Sequence, residues 1–195
     1  FCPAQRWACL MVRKMEKNKE IEYKILVSKE TFTQICQFYP KHHTYTQINY
    51  YLTSPELAEK RYALRVREKD GTYEMTLKIP QGFAKMEHNE MISKADFESI
   101  ENGVMIDNDI TRLLASQGFD LSLIKQEYSL KTIRHDIPLD YGMLSMDENF
   151  YNGHHDYEFE FEVNDEKKGA LQFDELCALF HLTYTGNCDS KIKRV

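Results

Sequence analysis

Glu20-Ile21-Glu22-Tyr23-Lys24 sets a charged residue at every second position and a large apolar one between each pair. Successive side chains of a strand point to opposite faces, so Glu20, Glu22 and Lys24 share one face while Ile21, Tyr23 and Ile25 share the other. One such strand is no more than a half-solvated antiparallel sheet displays. Recurrence is what decides. Leu64-Arg65-Val66-Arg67 sets two guanidinium groups on one face, and Tyr73-Glu74-Met75-Thr76-Leu77-Lys78 aligns Lys78 with Thr76 and Glu74. Tyr157-Glu158-Phe159-Glu160-Phe161-Glu162 stacks three carboxylates. Each strand thus carries a polar stripe backed by an aromatic or aliphatic one.

The signs are sorted by strand. Like charges close together destabilise a sheet, so Glu158, Glu160 and Glu162 require a compensating cation. For a dense oxygen cluster that is a hard divalent ion such as Mg²⁺ or Mn²⁺. The paired arginines require an anion, and guanidinium groups match phosphate oxygens in bidentate geometry. One surface carrying both features points to a polyphosphate bridged to metal.

The chain has 195 residues, 42% hydrophobic and 29% charged, the composition of a globular domain with a core of its own. Its 25 Lys+Arg against 31 Asp+Glu give a formal net charge of −6, which argues against broad nucleic-acid binding and leaves the basic residues to act locally. Cys2, Cys9, Cys36, Cys177 and Cys188 are odd in number and lack zinc-ligand spacing, so free thiols in a reducing cytoplasm are expected. No stretch approaches the roughly twenty consecutive apolar residues of a membrane span. Residues 1–15 lack the ordered zones of a signal peptide. They read as a leader outside the domain, with Met15 or Met11 as the natural start, or as a packed amphipathic segment. A single domain is expected over residues 16–195, and the sequence leaves monomer or homodimer open.

The pattern predicts strands over about Lys19 to Val27, Gln47 to Leu52, Ala63 to Glu68, Tyr73 to Ile79, Met86 to Ile92, Ile124 to Arg134, Gly142 to Glu148 and Asp156 to Val163. Lys69-Asp70-Gly71 is a hairpin signal. Ser28 is expected to cap a helix reaching Tyr39 before Pro40, Ser93 with Asp96 to form a capping box for a helix toward Asn102, and Asp107 to cap one ending near Gly118. Asp165 opens a helix with Leu171, Leu176, Leu179 and Phe180 at helical spacing. The expected fold is α+β: an eight-stranded antiparallel closed β-barrel with helices packed on its outside and the polar stripes facing inward.

In order along the chain these residues resemble the CYTH superfamily, the triphosphate tunnel metalloenzymes, of bacterial type. The hallmark Glu-x-Glu-x-Lys is present as Glu20, Glu22 and Lys24; Arg65 and Arg67, Lys78, Glu90, Arg134, Asp147, Glu158 and Glu160, then Ser190-Lys191 and Arg194 follow. The resemblance spans nearly all of residues 19–194 and implies a tunnel that binds a triphosphate with Mg²⁺ or Mn²⁺. It implies Lys24, Arg65, Arg67, Lys78, Arg134, Lys191 and Arg194 as the phosphate cradle. Glu20, Glu22, Asp147, Glu158 and Glu160 carry over as metal ligands, and Glu20, Glu22, Lys24, Glu90 and Asp147 as catalytic groups. His88 and Glu90 are read as sharing the inner face, which disfavours Glu87, and Glu162 as extending the acidic row toward a tunnel mouth.

Hydrolysis of a triphosphate, inorganic triphosphate first, is the expected activity. Thiamine triphosphate hydrolysis, adenylyl cyclisation and a non-catalytic polyphosphate or nucleotide sensor stand beside it. No base pocket is specified: Tyr50, Tyr51, Tyr62 and Tyr151 are expected mostly to face outer helices or to support the wall. His42-His43 and His154-His155 read as solvent-exposed loop residues, because neighbours on an extended chain point apart. Cys188 has no histidine partner placed by sequence and is not expected to be a nucleophile.

Overall fold

The computed structural model describes residues 16–81 and 84–195; the leader expectation for residues 1–15 lies outside them. The strands are β1 (Glu16–Glu20), β2 (Glu22–Val27), β3 (His43–Thr53), β4 (Ala63–Lys69), β5 (Thr72–Gln81), β6 (Ala84–Ile92), β7 (Lys125–Leu139), β8 (Gly142–Tyr151) and β9 (His154–Val163). They form one antiparallel sheet in the order β1-β6-β5-β4-β3-β7-β8-β9-β2. Its two edges, β1 and β2, are separated in the chain by Ile21 alone. The same extended segment therefore pairs with β6 through its first half and with β9 through its second, from Glu20↔Lys85 to Glu22↔Glu162. Counted as one strand, it closes an eight-stranded barrel, and closure removes the exposed edges of an open sheet.

Closure leaves the backbone of β2 unpaired on its β6 side. The chain end fills that gap. Asn187 Oδ1 accepts from the Lys24 N–H at 2.8 Å, its Nδ2 donates to Glu22 O at 2.9 Å, and the Cys188 N–H donates to Lys24 O at 3.1 Å. The short helix that follows, Lys191–Arg194, is thereby fixed against the barrel.

Outside, apolar faces of the strands meet helices in two places. Leu64, Val66, Met75 and Leu77 of β4 and β5 pack with Phe97, Ile100, Ile110 and Leu114 of α3 (Lys94–Glu101) and α4 (Asp109–Ser116), the third and fourth helices. Leu144, Met146, Phe159 and Phe161 of β8 and β9 pack with Phe32 and Ile35 of α1 (Lys29–Phe38) and with Phe173, Leu176 and Phe180 of α5 (Glu166–Phe180). Gly169 lets α5 sit on β9, since a Cβ there would stand 2.5 Å from Val163.

The local signals act as expected at Ser28, whose Oγ accepts from the Thr31 N–H, and at the reciprocal Ser93–Asp96 box. Asp70 and Gly71 both take positive φ, closing the β4–β5 hairpin in two residues. Three details differ. The cap of α4 is Asn108, exchanging hydrogen bonds with Thr111, while Asp107 pairs with Arg112 at 2.8 Å. Ser54 and Pro55 open an unexpected one-turn helix, α2 (Pro55–Glu59). Leu171 and Leu179 of α5 face solvent, and its buried stripe is Phe173, Leu176 and Phe180. No helix among the described residues is long and apolar enough to cross a membrane.

Candidate active site in the barrel interior

The inner stripes enclose a cavity of about 960 Å³. Its walls differ in charge. From β4 and β5 come Arg65, Arg67 and Lys78; from β2 and β9, with β7, come Lys24, Glu160 and Arg134. Register alone explains the convergence, because Arg65↔Thr76, Asn49↔Arg67, Lys24↔Glu160 and Arg134↔Asp147 are cross-strand neighbours and residues two apart share a face.

At the acidic wall Asp147, Glu158 and Glu160 are all buried and each offers an oxygen within 4.8 Å of the others. Cations fill the space around them. Arg134 forks onto Asp147 with both contacts at 2.7 Å and reaches Glu160 at 3.4 Å. Lys191 lies 2.8 Å from Asp147 and 3.2 Å from Glu160, and it also contacts Glu158. Arg194 bridges Glu158 and Asp156. Three carboxylates this deep would otherwise repel one another at large cost, so the bonds to Arg134, Lys191 and Arg194 hold the wall together.

On the other side of β2, Glu20 takes Lys78 on both oxygens at 2.9 Å, and Glu87 also contacts Lys78. Glu22 pairs with Lys24 at 2.8 Å and Lys85 at 2.5 Å. Burial pushes the Glu20 carboxyl up to about 7, against the pull of Lys78, so it can exchange a proton near neutrality. Burial also acts to raise Glu22, but the ammonium groups of Lys24, Lys78 and Lys85 overcome it and bring the carboxyl down to about 2. Glu160 is held well below the usual carboxylate range: burial opposes this, and Lys24, Lys191 and Arg134 outweigh it.

The basic wall is different. Among the described residues neither Arg65 nor Arg67 makes an ion pair; Arg67 Nε donates to Asn49 Oδ1 at 3.1 Å. Burial, Arg65 and Arg134 lower Arg67 to about 10, so it stays charged at neutral pH while facing like charge.

Most residues picked from the sequence converge here, with qualifications. Asp147, Glu158 and Glu160 gather; Glu20 and Glu22 stand apart from that group, held by lysines. Glu90 is corrected: it points outward, where its Oε2 accepts the Asp109 N–H at 3.0 Å at the start of α4. Glu87, not Glu90, shares the inner face, since β6 alternates from Lys85 through Glu87 to Asn89 and places His88 with Glu90 on the helix side. Glu162 lies exposed at the rim of the cavity. Tyr50 packs outside against Phe97 with the rings tilted at 49°, whereas Tyr51 lines the cavity. His154 and His155 begin β9 and are exposed, and His43 begins β3. Burial, reinforced by Glu158, pushes the Cys188 thiol up to about 11. The sequence reading passed over Gln47 and Asn49, uncharged residues on the inner face of β3; their alternation with Ile48 and Tyr50 was the available signal.

A closed antiparallel barrel with opposed basic and acidic inner walls defines a charged tunnel protein. This chain belongs to the CYTH family: the CYTH domain profile matches residues 18–191. A Bacillus subtilis (strain 168) protein named "Putative triphosphatase YjbK" is 31% identical over 176 residues, covering 86% of this chain and 90% of that one. A crystal structure of a Bacillus halodurans protein, titled "a putative adenylate cyclase", superposes with a TM-score of 0.85 at 30% identity, covering 91% of this chain and 97% of that one. The Hippeastrum protein titled a "Putative adenylyl cyclase" with "a dominant" triphosphatase activity shares the fold at a TM-score of 0.71 and 18% identity, over 89% and 93% of the two chains.

Proposed function

We propose that the tunnel binds a triphosphate, inorganic triphosphate first, and hydrolyses it with the help of a divalent metal ion. The observation that carries this reading is the pair Arg65 and Arg67, half-buried on one strand face without a carboxylate partner, opposite an acidic group in the same closed interior. Like charges held close together away from bulk water are costly, and a polyanion between the walls relieves that cost. The name of the Bacillus subtilis relative agrees.

In this reading Arg65, Arg67, Lys24 and Lys78 contact phosphate oxygens. Arg134 and Lys191, which line the cavity, reach the same oxygens from their carboxylate partners, while Arg194 holds Glu158 and Asp156 in place behind them. Asp147, Glu158 and Glu160 fit Mg²⁺ or Mn²⁺, being three hard oxygen donors within 4.8 Å of one another; an ion there competes with Lys191. When bound, such an ion supplies neutralisation of phosphate charge. The chain's own cations do the same from positions fixed by the strands, and little covalent chemistry falls to the protein.

The test is a panel of inorganic triphosphate, ATP, thiamine triphosphate and longer polyphosphates, each with Mg²⁺ or Mn²⁺, read for phosphate and for cyclic nucleotide. Metal-dependent phosphate release from inorganic triphosphate is expected. Cyclic AMP from ATP would favour the cyclase activity for which the Bacillus halodurans protein is named, and tight binding with no turnover above a Glu158→Ala control would favour a sensor.

A further inference from the structure

Gln47 is 1% exposed and lines the tunnel, yet among the described residues neither its Nε2 nor its Oε1 has a hydrogen-bond partner. Its cross-strand neighbours do not serve it. Thr132 has committed its hydroxyl proton to Asn149 Oδ1 at 2.8 Å. Two residues on, Asn49 is fully buried, and its orientation is fixed by Arg67: a guanidinium only donates, so the atom facing Nε is the carbonyl oxygen. Its Nδ2 is left as a second unpartnered donor. A buried polar group without a partner has lost its hydration with nothing in exchange, which is destabilising. Such a group calls for a partner from outside the chain, a water, an ion or a ligand.

The chemistry of an amide narrows what completes Gln47. Its nitrogen needs an acceptor and its oxygen needs a donor. The oxygens of an ionised phosphate chain only accept, so they satisfy Nε2 and the Asn49 Nδ2 but not Oε1. Beside a bound phosphate, water is the small donor that reaches Oε1. We propose that Gln47 is a positioning residue for hydrolysis, its amide nitrogen holding a phosphoryl oxygen while its carbonyl oxygen orients the attacking water. This rests on the triphosphatase reading above. In the step it serves, the water oxygen forms a bond to the terminal phosphorus. The bridging P–O bond breaks with its electron pair on the departing diphosphate, and the proton that the water loses passes to a phosphate oxygen. Gln47 gives and takes no proton, since an amide is not a base; it supplies direction, as water-orienting glutamines do in other phosphoryl transfers.

Gln47→Leu separates this role from a structural one. It keeps the volume and removes both unpartnered atoms, so the ligand-free protein should melt at a higher temperature than wild type. With inorganic triphosphate and Mg²⁺, kcat should fall roughly 10- to 100-fold while KM changes less than about fivefold. Gln47→Glu keeps an acceptor but sets an anion against the phosphate, so KM should rise more than tenfold. A lower melting temperature for Gln47→Leu, or a failure to fold, would show a structural residue and overturn the proposal. So would a kcat equal to that of wild type. If wild type itself releases no phosphate, the triphosphatase reading falls and the proposal with it; if wild type hydrolyses and Gln47→Leu matches it, only the proposal falls.

Discussion

The two walls of the tunnel handle buried charge in opposite ways. At β8 and β9 each carboxylate of the acidic group is tied to a cation from the same chain, and the C-terminal helix delivers two of those cations, Lys191 and Arg194. At β4 the arginines are tied to no carboxylate, and Arg67 rests on the neutral amide of Asn49. Burying an ion costs several kcal/mol unless it is paired. The acidic wall therefore contributes to holding the folded chain together, while the basic wall retains unspent attraction for an anion. Stability and binding should separate along this line.

The acidic wall gives the largest expected effect. Glu158→Gln with Glu160→Gln removes charge from two of the three clustered oxygens and from the partners of Lys191. Phosphate release should fall to background along with its metal requirement; metal-dependent turnover that survived would reject these residues as ligands. On the basic wall, Arg67→Met should weaken inorganic triphosphate binding by roughly 100-fold, the value of a buried charge-assisted contact, and leave the melting temperature unchanged or higher. Lys24→Met, cutting ties to Glu22 and Glu160 at 2.8 and 3.4 Å, should weaken binding and also destabilise by about 3 kcal/mol. Calorimetry and thermal melts on the two variants break the comparison if both lose stability equally.

A third expectation concerns pH. The folded Glu20 carboxyl lies at about 7, above its ordinary 4.5. The native state therefore binds more protons than the unfolded one between those values, and this group's contribution falls as pH rises from about 4.5 to 7. Glu22 is the reverse: brought down to about 2, it contributes stability above pH 4.5 that is lost as pH falls toward 2. Glu20→Gln should flatten the decline on the neutral side and leave the acid limb in place. Denaturant melts from pH 3 to 8 check it, and an unchanged neutral limb would show that Glu20 titrates ordinarily.

How much of this was legible depended on where the sequence alternates cleanly. Glu20-Ile21-Glu22-Tyr23-Lys24, Leu64 to Arg67 and Tyr157 to Glu162 switch between charged and apolar at each step, so parity fixed the inner face and with it the barrel. Gln47 and Asn49 sit in an equally regular stretch but carry no charge, and nothing in their residue type announces that their amides would be left unpartnered. The entry of Lys191 among three carboxylates depends on Asn187 docking on β2 across 163 positions of sequence, which no local pattern encodes. In β6 the sequence Lys85-Met86-Glu87-His88-Asn89-Glu90 is polar on both faces, so parity has nothing to hold, and the pattern does not tell Glu87 inside from Glu90 outside.

That strand offers the smallest and most selective test of the difference between what faces the tunnel and what faces the helices. Glu87 contacts Lys78 inside, and burial notwithstanding, the charges of Lys78 and Arg65 hold its carboxyl below the ordinary value. Glu90 bonds the Asp109 N–H outside, where a carboxylate also favours the positive end of α4. Glu90→Gln should cost about 1 kcal/mol of stability, the scale of a helix-end contact, with kcat and KM unchanged. Glu87→Gln should shift KM for inorganic triphosphate severalfold, because it frees Lys78 from one of its two carboxylates, with little change in melting temperature. Kinetics in which Glu90→Gln moved and Glu87→Gln did not would mean that β6 presents its other face to the substrate.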